Sequence, residues 1–252
     1  MNTIQVETQG EIAIVRLARG KANAMNAELV VELEDTLLNL TTNDKIRGAI
    51  LTGHGEFFSA GLDVIELFSY DEAQILEFWK SFDRLVRTIV SFPKPIIAAI
   101  SGHSPAGGCV LALGCDYRIM AEGKYKIGLN EIPVGIVVPE TIFHLYSFWL
   151  GNAKAYQYLM EGKLMSAEEA KINGLVNETC ALEEVETKAI EQLNKYLKFS
   201  TAVWAQSKIN IKTTIIQRLT SDFKTAYEPT IKQWWAPETR AILTKMIEGL
   251  KK

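Results

Sequence analysis

Three short segments of the chain combine small residues with single polar or charged ones, a composition that suits ligand binding beside the main chain. They are Phe57–Asp63, Ser101–Cys109 and Ile127–Gly135. The second segment opens a predicted helix directly after an apolar strand, so its free N–H groups and the helix dipole favour an anionic group. Two glycines there, Gly107 and Gly108, allow a ligand to approach the backbone closely.

The third segment carries the candidate for acid–base chemistry. Glu131 is the one carboxylate in an apolar stretch that includes Ile132, Val134, Ile136 and Val137. Burial among such neighbours raises the affinity of a carboxylate for protons, which suits a group that accepts a proton and then returns it. Taken alone, a glycine pair more often serves packing, and a lone glutamate more often pairs with a cation or lies at the surface. The order and spacing of all three segments together favour the functional interpretation.

Taken together, the segments resemble the crotonase superfamily, also called the enoyl-CoA hydratase/isomerase family, and look most like its mitochondrial-type isomerases. The resemblance runs from Ile12 to about Val176 and is strongest from Phe58 to Pro139. The strings that carry it are Ser-Pro-Ala-Gly-Gly-Cys from Ser104, Cys-Asp-Tyr-Arg-Ile-Met-Ala from Cys115, and Ile-Gly-Leu-Asn-Glu from Ile127.

This resemblance implies an α/β fold, a crotonase-like spiral of ββα units with a C-terminal helical trimerisation region. We expect residues 1–195 to form the spiral core with the acyl-CoA site and residues 196–252 to form the helical region. The implied assembly is a homotrimer or a hexamer built as a dimer of trimers. The implied substrate is an acyl-CoA thioester, and no separate cofactor is expected because coenzyme A is part of the substrate.

Residue roles follow from the resemblance by position. An oxyanion hole, a pair of backbone N–H donors, is expected at Leu62 and Gly107, and no metal is expected. The implied contacts to the substrate and its coenzyme A are Lys21, Ala22, Ala24, Ser59, Ala60, Asp63 and Val64.

The choice of reaction depends on two positions. Hydratases of this family use two glutamates, and here the first of these positions falls on Val110, whereas Glu131 is retained. One carboxylate still suffices to move a double bond, so we predict a Δ3-Δ2-enoyl-CoA isomerase of fatty-acid β-oxidation. Glu140 is either a second acid–base group or, as is commoner, a carboxylate at a helix start that pairs with His144.

Two alternatives stay open at this stage. The first is an enoyl-CoA hydratase or another lyase, hydrolase or decarboxylase of the family, because one fold supports many reactions. The second is a non-catalytic scaffold or an RNA-binding relative.

Composition narrows the remaining classes of function. The 252 residues include 27 Lys and Arg and 30 Asp and Glu, a formal net charge of -3. No basic excess is available for a phosphate backbone, so no nucleic-acid partner is expected. The three cysteines lack the paired spacing of disulfide frameworks or zinc sites. Without a signal-like N-terminus or a long apolar run, we expect a cytoplasmic protein with no membrane partner.

The elements that must position these segments alternate between strands and helices in the N-terminal half. Predicted strands are Ile4–Thr8, Ile12–Leu17, Gly48–Thr52, Ile96–Ile100, Tyr117–Ala121 and Tyr125–Ile127. Predicted helices follow Asn26, span Glu72–Phe92 and begin at the capping box of Ser166 with Glu169. The C-terminal part is predicted as the helices Leu182–Leu197, Ala202–Leu219 and Asp222–Leu250, with breaks at Pro229 and Pro237.

Overall fold

The computed structural model describes residues 2–219 and 222–250. Its larger sheet contains β1 Ile4–Gln9, β2 Ile12–Leu17, β3 Gly48–Thr52, β4 Ile96–Ile100, β6 Tyr117–Ala121 and β9 Glu178–Cys180. The strands lie in the spatial order β1-β2-β3-β4-β6-β9, and every pair except the β1–β2 hairpin is parallel. Parallel strands are covered on both faces, which explains why β3 and β4 are buried along their whole length and apolar except for Thr52.

Helices cover the two faces of this sheet. They are α1 Ala27–Thr42, α2 Val64–Leu67, α3 Glu72–Ser91, α4 Gly107–Gly114, α5 Glu140–Leu150, α6 Asn152–Met160, α7 Ala167–Ile172 and α8 Val185–Tyr196. Alternate residues of β4 contribute to two cores: Ala98 and Ile100 belong to the larger one, which includes α1 and α3, whereas Ile97 and Ala99 pack with α8. The predicted α/β architecture is therefore confirmed.

A second, smaller sheet brings two of the three segments together. It consists of β5 Ser104–Pro105, β7 Lys126–Gly128 and β8 Met165–Ser166. Strand β5 pairs in parallel with β7 so that Ser104 lies opposite Ile127, and the Ala106 N–H donates to Gly128 O at 2.8 Å. This register places the glycines that follow β5 beside the turn that carries Glu131 after β7. The sequence predicted β7 one residue too early, at Tyr125–Ile127.

The C-terminal region is helical, as predicted, and its described part consists of α9 Thr201–Leu219, α10 Phe223–Trp234 and α11 Pro237–Leu250. The predicted break at Pro229 is wrong, because α10 continues through it and the chain turns only at Trp235 and Ala236. The buried side chains Tyr227, Thr230 and Trp234 hold the helix in place on both sides of the proline. The division into 1–195 and 196–252 stays a prediction.

Helix α9 is fixed to the core by a buried charge cluster. Lys208 Nζ lies 2.8 Å from Asp116 Oδ2, and Lys212 Nζ lies 3.0 Å from Asp116 Oδ1. Burial by itself raises the pKa of Asp116, but the two lysines outweigh it and bring that pKa below its ordinary value. The two lysines therefore hold α9 against the carboxyl group that follows α4. In the part of the chain described, no helix combines the length and apolarity needed to cross a bilayer.

Candidate active site

A cavity of about 510 Å³ opens where the three segments meet. Its walls come from the 22–24 loop, the start of α2, the start of α4, the turn after β7, and helices α3, α5 and α11. Most of the residues predicted for the site line it: Ala22, Ala24, Ala60, Leu62, Asp63, Val64, Gly107 and Glu131. The structure therefore brings together groups that are separated by more than a hundred positions in the sequence.

The first candidate donor is the backbone N–H of Leu62. Leu62 forms an isolated parallel bridge with Met25, in which the hydrogen bonds are made by its neighbours. The Met25 N–H donates to Gly61 O at 2.8 Å and the Asp63 N–H donates to Met25 O at 2.9 Å. Because the neighbours make these bonds, the Leu62 N–H itself is left without an acceptor within residues 2–219 and 222–250.

The second candidate donor is the N–H of Gly107, the first residue of α4. It too has no acceptor among the described residues, as expected for the first N–H groups of a helix. Ala106 before it adopts a φ of 48°, a conformation that costs an alanine energy and that the surrounding contacts must maintain. A Cβ placed on Gly61 would lie only 3.1 Å from Gly107 N, so the loops that carry the two donors are in direct contact.

Glu131 provides the carboxyl group of the cavity. It lies at the start of a short 3-10 turn, Ile132–Val134, that follows β7. Its Oε2 is shielded from solvent and has no hydrogen-bond partner within the described ranges. Burial raises the pKa of Glu131 to about 7, against a weaker opposite effect of a backbone N–H. A carboxyl group with this pKa can both accept and release a proton near neutral pH.

The other carboxylate that lines the cavity is already bound by the protein. Asp63 caps α2 by accepting from the Glu66 N–H at 3.0 Å, and its Oδ2 accepts from Arg19 at 2.7 Å. Glu140 lies outside the cavity, at the exposed start of α5, where its Oε1 lies 2.9 Å from His144 Nε2 and 3.6 Å from Arg218 Nη1. The sequence allowed a catalytic role for Glu140, but its position agrees with the commoner helix-start interpretation.

Apolar side chains surround Glu131. Val110 lines the cavity from α4, and Val134, Ile136 and Val138 line it from the turn after Glu131. The predicted neighbours Ile132 and Val137 are instead exposed, because the turn and the extended chain after it direct these side chains to solvent. Sequence reasoning missed three large lining residues: Trp79, Phe82 and Met246. Trp79 and Phe82 are spaced as one face of a helix, which is a signal for burial but not for a cavity.

Two of the predicted substrate contacts do not line the cavity. Lys21 is exposed at the surface, and Ser59 is fully buried. The Ser59 hydroxyl donates to Asn23 O at 2.7 Å and accepts from the Gly61 N–H at 3.2 Å. Ser59 therefore holds the loop together, and its small side chain fits where Gly108 packs against it.

The side chains that the structure describes do not form a metal-binding site. In the described part of the chain, no group of three or more His, Cys, Asp and Glu side chains is arranged to hold a metal ion. The cavity offers two N–H donors that have no acceptor among the described residues, a protonatable carboxyl group and apolar walls. Such a set can polarise a carbonyl oxygen and move a proton at a neighbouring carbon.

Comparison with known proteins agrees with this inventory. The family model for enoyl-CoA hydratase/isomerase matches residues 7–231. The chain is 38% identical to the mouse protein enoyl-CoA delta isomerase 1, mitochondrial, over 198 residues, which are 77% of this chain and 68% of that protein. It is 31% identical to a probable enoyl-CoA hydratase of Bacillus subtilis (strain 168) over 235 residues, 92% of this chain and 87% of that protein.

Comparison of the fold with solved structures leads to the same family. Human mitochondrial delta3-delta2-enoyl-CoA isomerase superposes with a TM-score of 0.95 at 27% identity, covering 99% of this chain and 98% of that one. The resemblance inferred from the three segments and the crotonase-like fold are both confirmed. With its cavity, its donors and a family match over most of its length, this chain belongs to the enoyl-CoA hydratase/isomerase family.

Proposed function

We propose that the protein is a Δ3-Δ2-enoyl-CoA isomerase in which Glu131 carries one proton between two carbons of the substrate. The substrate class is an acyl-CoA thioester with a double bond between C3 and C4. The observation that carries the proposal is the isolation of Glu131 among the described residues: of the two carboxylates there that line the cavity, Asp63 is ion-paired, whereas Glu131 has an unpartnered oxygen and apolar neighbours.

The proposed reaction has two proton transfers. The Glu131 carboxylate removes a proton from C2, and the electrons of the C–H bond move toward the thioester oxygen to give a dienolate. The N–H groups of Leu62 and Gly107 stabilise the negative charge on that oxygen; losing one such donor typically costs about 3 kcal/mol in the barrier. Protonated Glu131 then returns the proton to C4, which leaves the double bond between C2 and C3.

The residue at the position of a hydratase's other glutamate supports isomerisation over hydration. Val110 lines the cavity and is buried, and valine can neither orient nor deprotonate a water molecule. The apolar walls also favour the exclusion of water from the dienolate. The names of some relatives include hydratases, so hydration of 2-enoyl-CoA is the reaction that the test must separate.

A substrate panel tests the proposal. We expect purified protein to convert 3-enoyl-CoA to 2-enoyl-CoA at least about 100-fold faster than it hydrates 2-enoyl-CoA, because one of the two carboxylates of a hydratase is missing. Malonyl-type and saturated thioesters serve as controls for decarboxylation and hydrolysis. Hydration or thioester cleavage as the dominant reaction would refute the isomerase proposal.

Several expectations around this function stay predictions. They are the homotrimer or hexamer, the cytoplasmic location, the absence of a nucleic-acid or membrane partner, and the absence of a separate cofactor. The role in fatty-acid β-oxidation likewise depends on the proposed reaction.

A further inference from the structure

The Leu62 N–H lies on a bridge that has little strength of its own. The Met25–Leu62 bridge is isolated from both sheets and is formed by two hydrogen bonds, from Met25 to Gly61 and from Asp63 to Met25. Among the described residues, one further backbone bond joins the two segments beside it, from the Ala60 N–H to Ala22 O at 2.8 Å. Isolated strand pairs are marginally stable in water. The position of this donor therefore depends also on side chains that hold the two loop segments together.

One guanidinium group joins both segments. Arg19 Nη1 donates to Ala24 O at 2.8 Å and to Asp63 Oδ2 at 2.7 Å. Ala24 directly precedes the bridge on one segment, and Asp63 directly follows it on the other. Arg19 Nη2 also donates to Glu66 Oε2 at 2.7 Å. These bonds are charge-assisted and partly buried, with 24% of the Arg19 side chain and 16% of the Asp63 side chain exposed.

The same cluster is tied to the neighbouring helices. Glu66 Oε1 accepts from Asn26 Nδ2 at 3.1 Å and from the Tyr70 hydroxyl at 2.7 Å. Asn26 in turn caps α1 by accepting from the Leu29 N–H at 3.0 Å. Arg19 is thus the centre of a network that connects the start of α1, the start of α2 and the Leu62 bridge.

The backbone of Arg19 is fixed as well. Its N–H donates to Asn23 Oδ1 at 3.0 Å, and its carbonyl accepts from the Asn23 N–H at 3.0 Å. Asn23 takes a left-handed conformation, with a φ of 48°, and its Nδ2 donates to Phe58 O at 3.2 Å. Arg19 therefore lies in a turn that Asn23 closes, and this turn is hydrogen-bonded to the segment that leads to Leu62.

We propose that Arg19 is a positioning residue whose guanidinium sets the place of the Leu62 N–H relative to the Gly107 N–H. Arg19 does not line the cavity, so it acts through Asp63 and Ala24. The planar guanidinium holds three acceptors in fixed directions, which the point charge of a lysine cannot do. The inference rests on the proposed binding of the thioester oxygen by the two donors, and not on the migration of the double bond.

A chromophoric thioester measures this role directly. The absorption of 4-(dimethylamino)cinnamoyl-CoA moves to longer wavelength when hydrogen bonds polarise its carbonyl group. At saturation we expect the full red shift in wild type and less than half of it in Arg19→Met. The kcat for 3-enoyl-CoA should fall about 100-fold, as for other small misplacements of reacting groups, with a much smaller change in KM. Arg19→Lys should retain part of the red shift and part of the kcat.

Arg16→Met is the matched control. The Arg16 side chain is also 24% exposed and pairs with Glu186 at 2.7 Å. Its hydrogen bonds within the described residues go to Gly53 O and Glu186, neither of which borders the Met25–Leu62 bridge. Should Arg19→Met fail to fold, Asp63→Asn serves as the second variant, because the amide oxygen can still cap α2 while the charge is lost. It should lower the red shift in the same direction.

An unchanged red shift at saturation in the folded Arg19 and Asp63 variants would overturn the inference, as would a wild-type protein that does not shift the probe. A loss of affinity and activity with a full red shift would also overturn it, since that pattern indicates a general structural role. A wild type that shifts the probe but does not isomerise 3-enoyl-CoA would refute the proposed reaction and leave the role of Arg19 standing.

Discussion

Glu131→Gln is expected to lower the conversion of 3-enoyl-CoA to 2-enoyl-CoA by about 10⁴-fold, the upper range for loss of a general acid–base group. The amide has the same shape as the carboxyl group but cannot accept and return the proton. Its burial should not weaken the fold, because the site already favours the uncharged form of Glu131, whose pKa is raised to about 7. We therefore expect saturated acyl-CoA to bind as in wild type by calorimetry while isomerisation is lost.

The matched control is Glu140→Gln. Glu140 is the nearby carboxylate that the sequence left as an alternative, and it is exposed and paired with His144. We expect its replacement to change kcat/KM by no more than about twofold, as for most surface substitutions. If the Glu140 variant lost activity while the Glu131 variant kept it, Glu140 and not Glu131 would be the residue that transfers the proton.

Gly61→Ala should cause the second-largest loss, a fall in kcat/KM of about 10²- to 10³-fold. Gly61 has a φ of 87°, and an added Cβ would lie 3.0 Å from Ala106 Cβ and 3.1 Å from Gly107 N. The loop must therefore move away from the start of α4, which separates the two N–H donors. Steady-state kinetics with 3-enoyl-CoA, together with thermal unfolding, measures the effect.

Gly151→Ala separates this effect from backbone strain. Gly151 has a φ of 75° and a ψ of 154°, and nothing lies within 4 Å of an added Cβ, so this alanine meets a strained backbone without a contact. We expect both variants to lose about 1–3 kcal/mol of stability, the typical cost of a strained backbone conformation. Only the Gly61 variant should lose activity. Equal kinetic losses in both variants would contradict the proposed contact between the two donor loops.

Several strands of the larger sheet have the bounds that the sequence predicted, among them Gly48–Thr52 and Ile96–Ile100. The glycine pair after an apolar strand and the lone glutamate in an apolar stretch led to Gly107 and Glu131, which line one cavity. These positions are readable because each depends on a local pattern: a strand followed by a turn that requires glycine, and a charge among apolar residues. The pairing of β5 with β7, which brings them together, is too short to produce an alternating pattern of its own.

Long-range side-chain partners could not be predicted. The spacing of Lys208 and Lys212 also fits a solvated helix face. Nothing local in the sequence shows that Asp116, about 90 positions earlier, accepts hydrogen bonds from both. The same holds for Arg19, whose partner Asp63 is 44 positions away and was interpreted as a substrate contact. The predicted helix break at Pro229 was wrong for a different reason. The tertiary packing of its neighbours outweighs the loss of the hydrogen bond that a proline removes.

The structure of the protein with a saturated, non-reactive acyl-CoA tests the central claim most directly. We predict that a Glu131 carboxyl oxygen lies within about 3–3.5 Å of both C2 and C4, the range expected for reacting atoms. The thioester oxygen should accept hydrogen bonds from the N–H groups of Leu62 and Gly107. A complex in which Glu131 lies far from these carbons, or in which another carboxylate takes its place, would contradict the proposed isomerase.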